Sequence, residues 1–430
     1  MRIVRYPQRR DWSQLCARPH LDNQELSKIV GSVLADVREH GDEAVKRYEE
    51  RFDHVKLDTL TVSEEEITEA LSLVGDPLLK ALHQAHDNIE RFHEAQRFEG
   101  HVVETAAGVR CWQKGVAIEK VGLYIPGGTA PLFSTVLMLA TPARIAGCKE
   151  IVLCTPPDKT GHVHPAILAA AHIAGVNKIF KVGGVQAIGA MAYGTESIPQ
   201  VYKIFGPGNQ YVMAAKQQVS IDTVAIDMPA GPSEVCVIVD ETSDSCFAAA
   251  DLLSQAEHGV DSQVVLISTS ETKMKEIEEE TNRQLCALPR KEIAERSLAN
   301  SLFILVNDTD EAIALSNEYA PEHLILATAD YRALADKVVN AGSVFMGCWA
   351  CESAGDYASG TNHTLPTHGW AKSYSGVNLD SFIRKVTFQE LTTEGIDSIG
   401  EAVEQMATAE SLDAHSRAMT YRIAQRKEEQ

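Results

Sequence analysis

Hydrophobic positions recur at helical spacing over the first hundred residues. Between about residues 23 and 51 apolar side chains return every three or four positions, with an interruption at Gly41. Ser63 and Glu66 have the spacing of a capping box, in which each side chain accepts the other residue's backbone N–H. Another helix fits from Pro77 to about Arg97. We therefore predict an N-terminal arm over residues 1–22, followed by a helical segment over residues 23–114.

From residue 115 the pattern changes to short apolar runs that alternate with Gly/Pro turns and alanine-rich stretches. The predicted strands are Val121–Ile125, Ile151–Cys154, Ile179–Val182 and Val201–Phe205, with helices at 133–146, 166–174 and 186–193. Strands and helices in alternation favour a parallel sheet that is covered on both faces. The pattern predicts a first α/β domain over residues 115–232.

A second set of the same kind follows, which predicts a second α/β domain over residues 233–379. Its strands are Val235–Val239, Val264–Ser268, Leu302–Val306, Leu324–Ala327 and Ser343–Met346, with helices at 245–257, 271–286, 309–318 and 330–340. The end of this domain, 347–379, is polar and glycine-rich with little periodicity, which is typical of a functional loop or a linker. Residues 380–430 are predicted as a C-terminal helical segment, with a short strand or loop and then helices at about 394–409 and 411–427.

Composition narrows the class of protein. The 430 residues carry a formal net charge of −21 and 44% hydrophobic residues, and the sequence pI is about 5.1. Such acidity argues against nucleic-acid binding and against docking on anionic membranes, because both rely on clustered Lys and Arg. No secretory signal and no membrane span are apparent, so we expect a cytoplasmic protein without nucleic-acid or membrane partners.

Nine scattered cysteines predict reduced and mostly buried thiols. Cys348 and Cys351 have the spacing of a redox pair or of half a zinc site. The chain has no second Cys-x-x-Cys motif and no thioredoxin-like context around this one, so a structural role is the preferred interpretation.

Three glycine-rich turns follow predicted strands of the first domain: Tyr124–Gly128, Gly183–Gln186 and Gly206–Gly208. Turns after neighbouring parallel strands converge on one crevice, and glycine there allows a nucleotide phosphate to approach backbone amides. The dinucleotide fingerprint is nevertheless incomplete, because Tyr211 stands where a third glycine belongs. These turns favour a nucleotide site without identifying the nucleotide.

Several polar residues have the spacing of metal ligands. Gln255 and His258 lie three positions apart on a predicted helix and therefore face the same way. Asp356 lies in a glycine-rich segment that can present a carboxylate without a regular backbone. Spacing alone does not choose which of three histidines supplies a further ligand: His363, His368 or His415.

Glu322 and His323 stand together at the entrance of a predicted strand, where a carboxylate and an imidazole suit proton transfer near neutral pH. Ser233 ends a rigid Pro/Gly loop and either contacts a substrate or shapes the turn. Composition and pattern thus indicate an α/β enzyme with a nucleotide and polar active-site loops, and they do not define a reaction.

Longer sequence motifs do indicate a particular reaction. The sequence resembles the histidinol dehydrogenase family from about residue 20 to its end, in the order and rough spacing of several motifs. They include IDMPAGPSEV at 226–235, GLYIPGGTAPLFSTV at 122–136, IFGPGN at 204–209, DLLSQAEHG at 251–259, PEHL at 321–324, ESAGDYASGTNH at 352–363 and AESLDAH at 409–415.

The resemblance implies a fold, two cofactors and a set of residue roles. The two domains are expected to be incomplete Rossmann-like folds, and each subunit is expected to bind one zinc ion and NAD. Residue by residue, the implied zinc ligands are Gln255, His258, Asp356 and His415, and the implied proton acceptors are Glu322 and His323. Implied substrate contacts are Ser233, His323, Glu410 and the four zinc ligands, and implied NAD contacts are Tyr124, Gln186 and Asn209.

The implied reaction is the four-electron oxidation of L-histidinol through its aldehyde to L-histidine, with zinc holding the substrate. A homodimer is expected, in which the C-terminal segment supplies His415 and Glu410 to the partner's site. The alternatives are a paralogue that oxidises another alcohol, such as a sulfopropanediol dehydrogenase, a metal hydrolase without a nucleotide, and a non-catalytic binding protein.

Overall fold

The computed structural model describes residues 1–18, 24–127 and 130–428. Its strands are β1 (Arg2–Arg5), β2 (Val103–Ala106), β3 (Val109–Ala117), β4 (Lys120–Tyr124), β5 (Glu150–Thr155), β6 (Lys178–Lys181), β7 (Lys203–Phe205), β8 (Ala225–Ile226), β9 (Glu234–Val239), β10 (Gln263–Ser268), β11 (Leu302–Leu305), β12 (His323–Ala327), β13 (Ser343–Met346) and β14 (Ile383–Leu391).

The helices follow the same order along the chain. They are α1 (Trp12–Leu15), α2 (Gln24–Tyr48), α3 (Glu64–Leu73), α4 (Asp76–Glu94), α5 (Phe133–Ala146), α6 (Pro165–Ile173), α7 (Gly184–Tyr193), α8 (Gln210–Val219), α9 (Ser245–Ala256), α10 (Glu271–Leu285), α11 (Lys291–Ala299), α12 (Thr309–Tyr319), α13 (Tyr331–Ala335), α14 (Glu352–Tyr357), α15 (Thr393–Ala409) and α16 (Asp413–Glu428). In the described part of the chain, no helix combines the length and the apolar character that crossing a bilayer requires.

The first α/β domain contains a parallel sheet of five strands in the order β6-β5-β4-β7-β8. All four predicted strands and all three predicted helices are present. Helices α5 and α6 cover one face together with α3 and α4, whereas α7 and α8 cover the other face together with α2. Both faces are therefore buried, which is why the inner positions of the strands are apolar while lysine or glutamate stands at strand ends.

Local signals in the helical segment are confirmed. Gly41 has a φ of 52° and breaks α2, as its position in the hydrophobic pattern predicts. Ser63 caps α3 by accepting the N–H of Glu66, while Glu66 accepts the N–H of Ser63 at 2.9 Å. These features depend on neighbours in sequence, so a local pattern is enough to find them.

The second domain contains six parallel strands in the order β1-β11-β10-β9-β12-β13. The five predicted strands are present, and the sixth comes from the N-terminus, where Arg2 pairs opposite Leu302 and Arg5 opposite Leu305. The first residues of the predicted N-terminal arm, 1–22, thus form an edge strand of this sheet, which the sequence pattern did not predict. Four residues with arginine at both ends show no clear period, and charged ends are typical of edge strands.

A third, antiparallel sheet has the order β14-β3-β2. Strands β2 and β3 lie where a helical segment is predicted, so the prediction is wrong for residues 103–114. All nine residues of β3 pair with β14, which lies far along the chain, and Trp112 stacks on Phe388 at 5.5 Å between ring centroids. The predicted pair of C-terminal helices is present as α15 and α16, which pack on each other.

Candidate active site

The three glycine turns meet at the carboxyl edge of the first sheet, at the ends of β4, β6 and β7. The backbone N–H of Gly184 donates to the Tyr124 hydroxyl at 3.1 Å. A Cβ atom added to Gly206 would lie 2.1 Å from the Tyr124 carbonyl oxygen, so only glycine fits there. The predicted convergence is confirmed for the described residues. Gly128 lies outside them.

A buried acid that sequence reasoning missed holds the second of these turns. One carboxylate oxygen of Glu49, Oε1, accepts the backbone N–H of Gly183 at 3.0 Å and the side-chain amide of Gln186 at 2.8 Å. Glu49 is fully buried, and burial raises its pKa to about 8. The amide oxygen of Gln186 is buried without a hydrogen-bond partner, which leaves an acceptor for a ligand.

A second missed acid holds the Gly206 turn. Asp227 accepts the N–H of Gly206 through Oδ2 at 2.8 Å, and its other oxygen pairs with the buried Lys216 ammonium group. Lys216 in turn donates to the Gly206 carbonyl oxygen at 2.8 Å. Asn209, an implied NAD contact, caps α8 by accepting the N–H groups of its first turn.

These contacts correct one expectation from the sequence. The N–H groups of Gly183, Gly184 and Gly206 all donate to protein acceptors, so these three amides are not offered to a phosphate. The glycines provide close packing between turns instead. A nucleotide at this edge must therefore be held by groups other than these three amides.

Glu322 and His323 lie at the amino edge of the second sheet, and the backbone of Glu234 contacts both. The N–H of Glu234 donates to Glu322 Oε2 at 2.9 Å, and the carbonyl oxygen of Glu234 lies 3.2 Å from His323 Nδ1. Because a carbonyl only accepts, Nδ1 carries a hydrogen. His323 Nε2 has no hydrogen-bond partner and faces the carboxylate of Asp356 at 3.6 Å.

The environment of this pair raises both pKa values, that of Glu322 toward neutral pH and that of His323 above it. Burial raises the pKa of Glu322 to about 7, partly offset by His323 and by the N–H of Glu234. Burial disfavours the imidazolium form of His323, but the carboxylates of Glu352, Glu322 and Asp356 outweigh it and raise the pKa to about 10. Groups with such perturbed pKa values are typical of catalytic sites.

Next to this pair, three side chains form a group that could hold a metal ion. Ligand atoms of His258, Glu352 and Asp356 all lie within 4.8 Å of one another. Gln255 lies beside them, because its amide donates to Glu352 Oε2 at 3.0 Å when the NH₂ group is turned toward that carboxylate. The structure thus brings together three of the predicted ligands, Gln255, His258 and Asp356.

Two features of this group differ from the sequence expectation. Asp356 belongs to the short helix α14 and not to an irregular loop, so its backbone is regular. Glu352 was missed, although its spacing of four residues from Asp356 would have placed both acids on one helix face. Burial holds the pKa of Glu352 well above its usual range.

The three candidate histidines have different surroundings. His363 is held through both ring nitrogens, by the Asp356 carbonyl oxygen at 2.9 Å and by the Thr135 hydroxyl at 3.1 Å. The backbone N–H of His368 donates to Glu234 at 3.1 Å. His415 is exposed on α16, as is Glu410 at the end of α15, and neither belongs to the metal-binding groups found among the described residues. Ser233 is half-buried directly before Glu234.

The contact between Thr135 and His363 also joins the two domains. Thr135 lies in the first turn of α5, which follows the glycine turn after β4, and His363 holds the backbone of Asp356. The nucleotide-side turn and the candidate metal group are therefore neighbours. One cleft can hold a cofactor from the first domain and a substrate from the second.

The cysteines contribute no ligand to this cleft. All nine are free, and neither Cys348 nor Cys351 belongs to the metal-binding groups of the described chain. The prediction that most are buried is wrong, because only Cys16, Cys154 and Cys236 are.

Comparison with known proteins identifies the family. The family model for histidinol dehydrogenase matches residues 16–423. The histidinol dehydrogenase of Bacteroides thetaiotaomicron is 63% identical over 423 residues, which cover 98% of this chain and 99% of that protein. That of Colwellia psychrerythraea is 51% identical, over 95% of this chain and 94% of that protein. A crystal structure of histidinol dehydrogenase from Elizabethkingia anophelis matches with a TM-score of 0.97 and 52% identity, over 99% of this chain and 98% of that chain.

The fold and these matches together define an α/β oxidoreductase with two parallel sheets, whose domains meet at the contact between Thr135 and His363. The length and the sequence identity of the matches also show to which family of oxidoreductases the chain is related. The chain belongs to the histidinol dehydrogenase family.

Proposed function

We propose that this protein oxidises L-histidinol through L-histidinaldehyde to L-histidine, using two molecules of NAD and one zinc ion per subunit. The observation that carries the proposal is the buried Glu322–His323 pair beside the group formed by His258, Glu352 and Asp356. Proton acceptors next to a cation site suit an alcohol that must lose a proton and a hydride.

The donor set fits zinc. Imidazole nitrogen and carboxylate oxygen are common zinc ligands, and an amide oxygen from Gln255 adds a neutral one. Gln255, His258 and Asp356 would hold the ion in one chain, with His415 of the partner subunit completing the set. When bound, zinc anchors the substrate, and its charge lowers the pKa of the neighbouring His323 toward neutrality.

The first sheet fits NAD through side chains. Gln186 offers an unpartnered buried oxygen, Tyr124 lies at the end of the central strand β4, and Asn209 is exposed at the start of α8. When bound, NAD accepts the hydride in each of the two oxidations.

His323 and Glu322 then divide the proton transfers. Because Nδ1 of His323 donates to the carbonyl oxygen of Glu234, Nε2 carries the lone pair and is the atom that takes the hydroxyl proton of histidinol. Glu322 keeps Oε2 on the N–H of Glu234, so Oε1 takes the proton of the water that adds to the aldehyde. His323 releases its first proton to solvent between the two oxidations and then takes the proton of the resulting hydrate as the second hydride leaves. Ser233, Glu410 and the metal ligands complete the substrate contacts.

A homodimer explains the position of the C-terminal unit, which we define as β14, α15 and α16. Eight of the nine residues of β14 are exposed in the single chain, and so are Met406, Leu412 and Tyr421 on the helical hairpin. Apolar surface on a projecting unit is typical of an interface between subunits. His415 and Glu410 would then reach the site of the partner.

The test is NADH formation from L-histidinol and NAD by the purified protein, before and after chelation. Two NADH per histidinol, lost on chelation and restored by zinc, are the expected result. A folded, zinc-loaded protein that gives no NADH with histidinol, but does so with another primary alcohol, would instead be a paralogue with a different substrate. Hydrolysis without NAD binding would identify a metal hydrolase.

A further inference from the structure

Among the described residues, only Glu234 has a backbone that hydrogen-bonds to the side chains of both Glu322 and His323. Its N–H binds the carboxylate of Glu322 and its carbonyl oxygen binds the imidazole of His323. It begins β9, the strand next to β12, so its peptide groups are placed by the parallel pairing of His323 with Val235. These two groups belong to the peptides on either side of the Glu234 Cα, so a displacement of the Glu234 backbone would disturb both hydrogen bonds at once.

The side chain of Glu234 is fixed by a residue from the distant N-terminal segment. Arg18 Nε and Nη2 donate to the two oxygens of Glu234 at 2.8 Å and 2.7 Å, in the bidentate geometry that only arginine offers. The side chains of Arg18 and Glu234 are 10% and 2% exposed. The N–H of His368 donates to Glu234 Oε1 at 3.1 Å and ties in the segment after α14.

Arg18 is itself held on a rigid surface. Its guanidinium group lies 3.9 Å from the ring centroid of the buried Tyr319, whose hydroxyl donates to Gln263 at 2.8 Å. Stacking on an aromatic face fixes the plane of the guanidinium and hence the direction of both hydrogen bonds. Because a buried carboxylate without a partner is costly, removing Arg18 forces Glu234 to rotate or to take up a proton.

We propose that Arg18 and Glu234 are positioning residues for this reaction: the bidentate pair holds the Glu234 backbone in place, so that Glu322 and His323 keep their productive orientation. The proposal builds on the proposed roles of Glu322 and His323. It also gives the N-terminal segment a role in catalysis through Arg18.

The test compares two arginines of the same segment in the full-length, zinc-loaded protein. Arg18→Met removes the buried pair, whereas Arg5→Met removes the exposed ion pair between Arg5 and Glu271, which is 3.0 Å long and remote from the cleft. We expect kcat to fall about 10- to 100-fold in Arg18→Met, because small misplacement of reacting groups has effects of that size. Zinc content and the KM for NAD stay unchanged, and Arg5→Met keeps full activity.

A conservative variant separates positioning from folding. Arg18→Lys keeps the charge and loses the bidentate geometry, so its kcat should lie between those of Arg18→Met and the wild type at equal melting temperature. If Arg18→Met is not obtained folded, Arg18→Lys and Arg5→Lys are compared in its place.

The outcomes are distinct. Equal kcat in the folded Arg18 and Arg5 variants, or a loss of activity that follows loss of zinc, overturns the positioning role. A wild-type protein that forms no NADH from histidinol contradicts the proposed function instead, whatever the arginine variants do.

Discussion

The two parallel sheets present opposite edges to the cleft. The first sheet contributes its carboxyl edge, where Gly183 and Gly206 follow the ends of their strands, and the second contributes its amino edge, where His323 begins β12. The usual ligand position in open α/β sheets is the carboxyl edge. Only the first sheet follows that rule. The second sheet uses the edge at which α9 ends, so that Gln255 and His258 reach the start of β12.

The two sheet edges also differ in how completely their polar groups are hydrogen-bonded. In the first sheet, buried acids bind glycine amides from inside, as Glu49 does with Gly183 and Asp227 with Gly206. In the second sheet, ionisable side chains are gathered within a few ångströms and remain only partly bonded, as with His323 Nε2. The comparison teaches that buried acids fix the turns of one domain, while the other keeps ionisable groups only partly bonded, as our proposed division between cofactor binding and proton transfer requires.

The largest expected effect on activity is that of Glu322→Gln, at the amino edge of the second sheet. A carboxamide cannot take a proton from water, so oxidation of histidinaldehyde should fall by about 10²–10⁴ while histidinol oxidation continues. The aldehyde then accumulates with one NADH per histidinol, which product analysis measures. Glu318→Gln, an exposed acid paired with Lys372, is the control and should behave as wild type. Histidine formation at the normal rate would remove Glu322 from the mechanism.

Mixed dimers test whether the partner subunit completes the site at the amino edge of the second sheet. His415→Ala and Glu322→Gln, each unable to form histidine, should together recover about a quarter of wild-type activity when refolded as a mixture. Statistically half the dimers are then mixed, and each mixed dimer has one complete site. If His415 acts within its own chain, the mixture stays inactive, and the second domain needs no partner.

At the carboxyl edge of the first sheet, we expect a substitution to change the KM for NAD and to leave kcat unchanged. Glu49→Leu removes the acceptor of Gly183 and Gln186 and should raise the KM for NAD about tenfold, with kcat and zinc content unchanged. Glu49→Gln keeps an oxygen that accepts both hydrogen bonds, so its kinetics should match those of the wild type. Equal losses in the two variants would show that charge, and not hydrogen bonding, matters there.

The smallest expected effect is the pH dependence of the melting temperature that results from the buried Glu49. Burial raises the folded-state pKa of Glu49 from 4.5 to about 8, so the folded chain keeps a proton that the unfolded chain releases. This contribution to stability is complete below about pH 4.5 and is lost as the pH rises through about 8. Glu49→Gln should therefore match the wild type in melting temperature at pH 5 and exceed it by a few degrees at pH 8. A difference that does not change with pH would mean that Glu49 is ionised in the folded chain.

Much of the fold was predictable because its signals are local. The apolar strands of both domains, the break at Gly41 and the capping box at Ser63 depend on residues a few positions apart. The same holds for the adjacent pair Glu322–His323 and for the spacing of Gln255 and His258. The roles of Asp356, Glu410 and His415 came from resemblance to the family, since spacing did not single them out.

The sequence by itself thus determined two α/β domains, three convergent turns and the residue types of the site. Only the tertiary structure decided what surrounds them. Glu49 meets Gly183 across 134 residues of chain, and Arg18 meets Glu234 across 216. The strand pairings of β1 with β11 and of β3 with β14 span still longer stretches of chain. Contacts of this kind depend on which elements become neighbours, and the periodicity of a stretch shows which face it buries without identifying the partner.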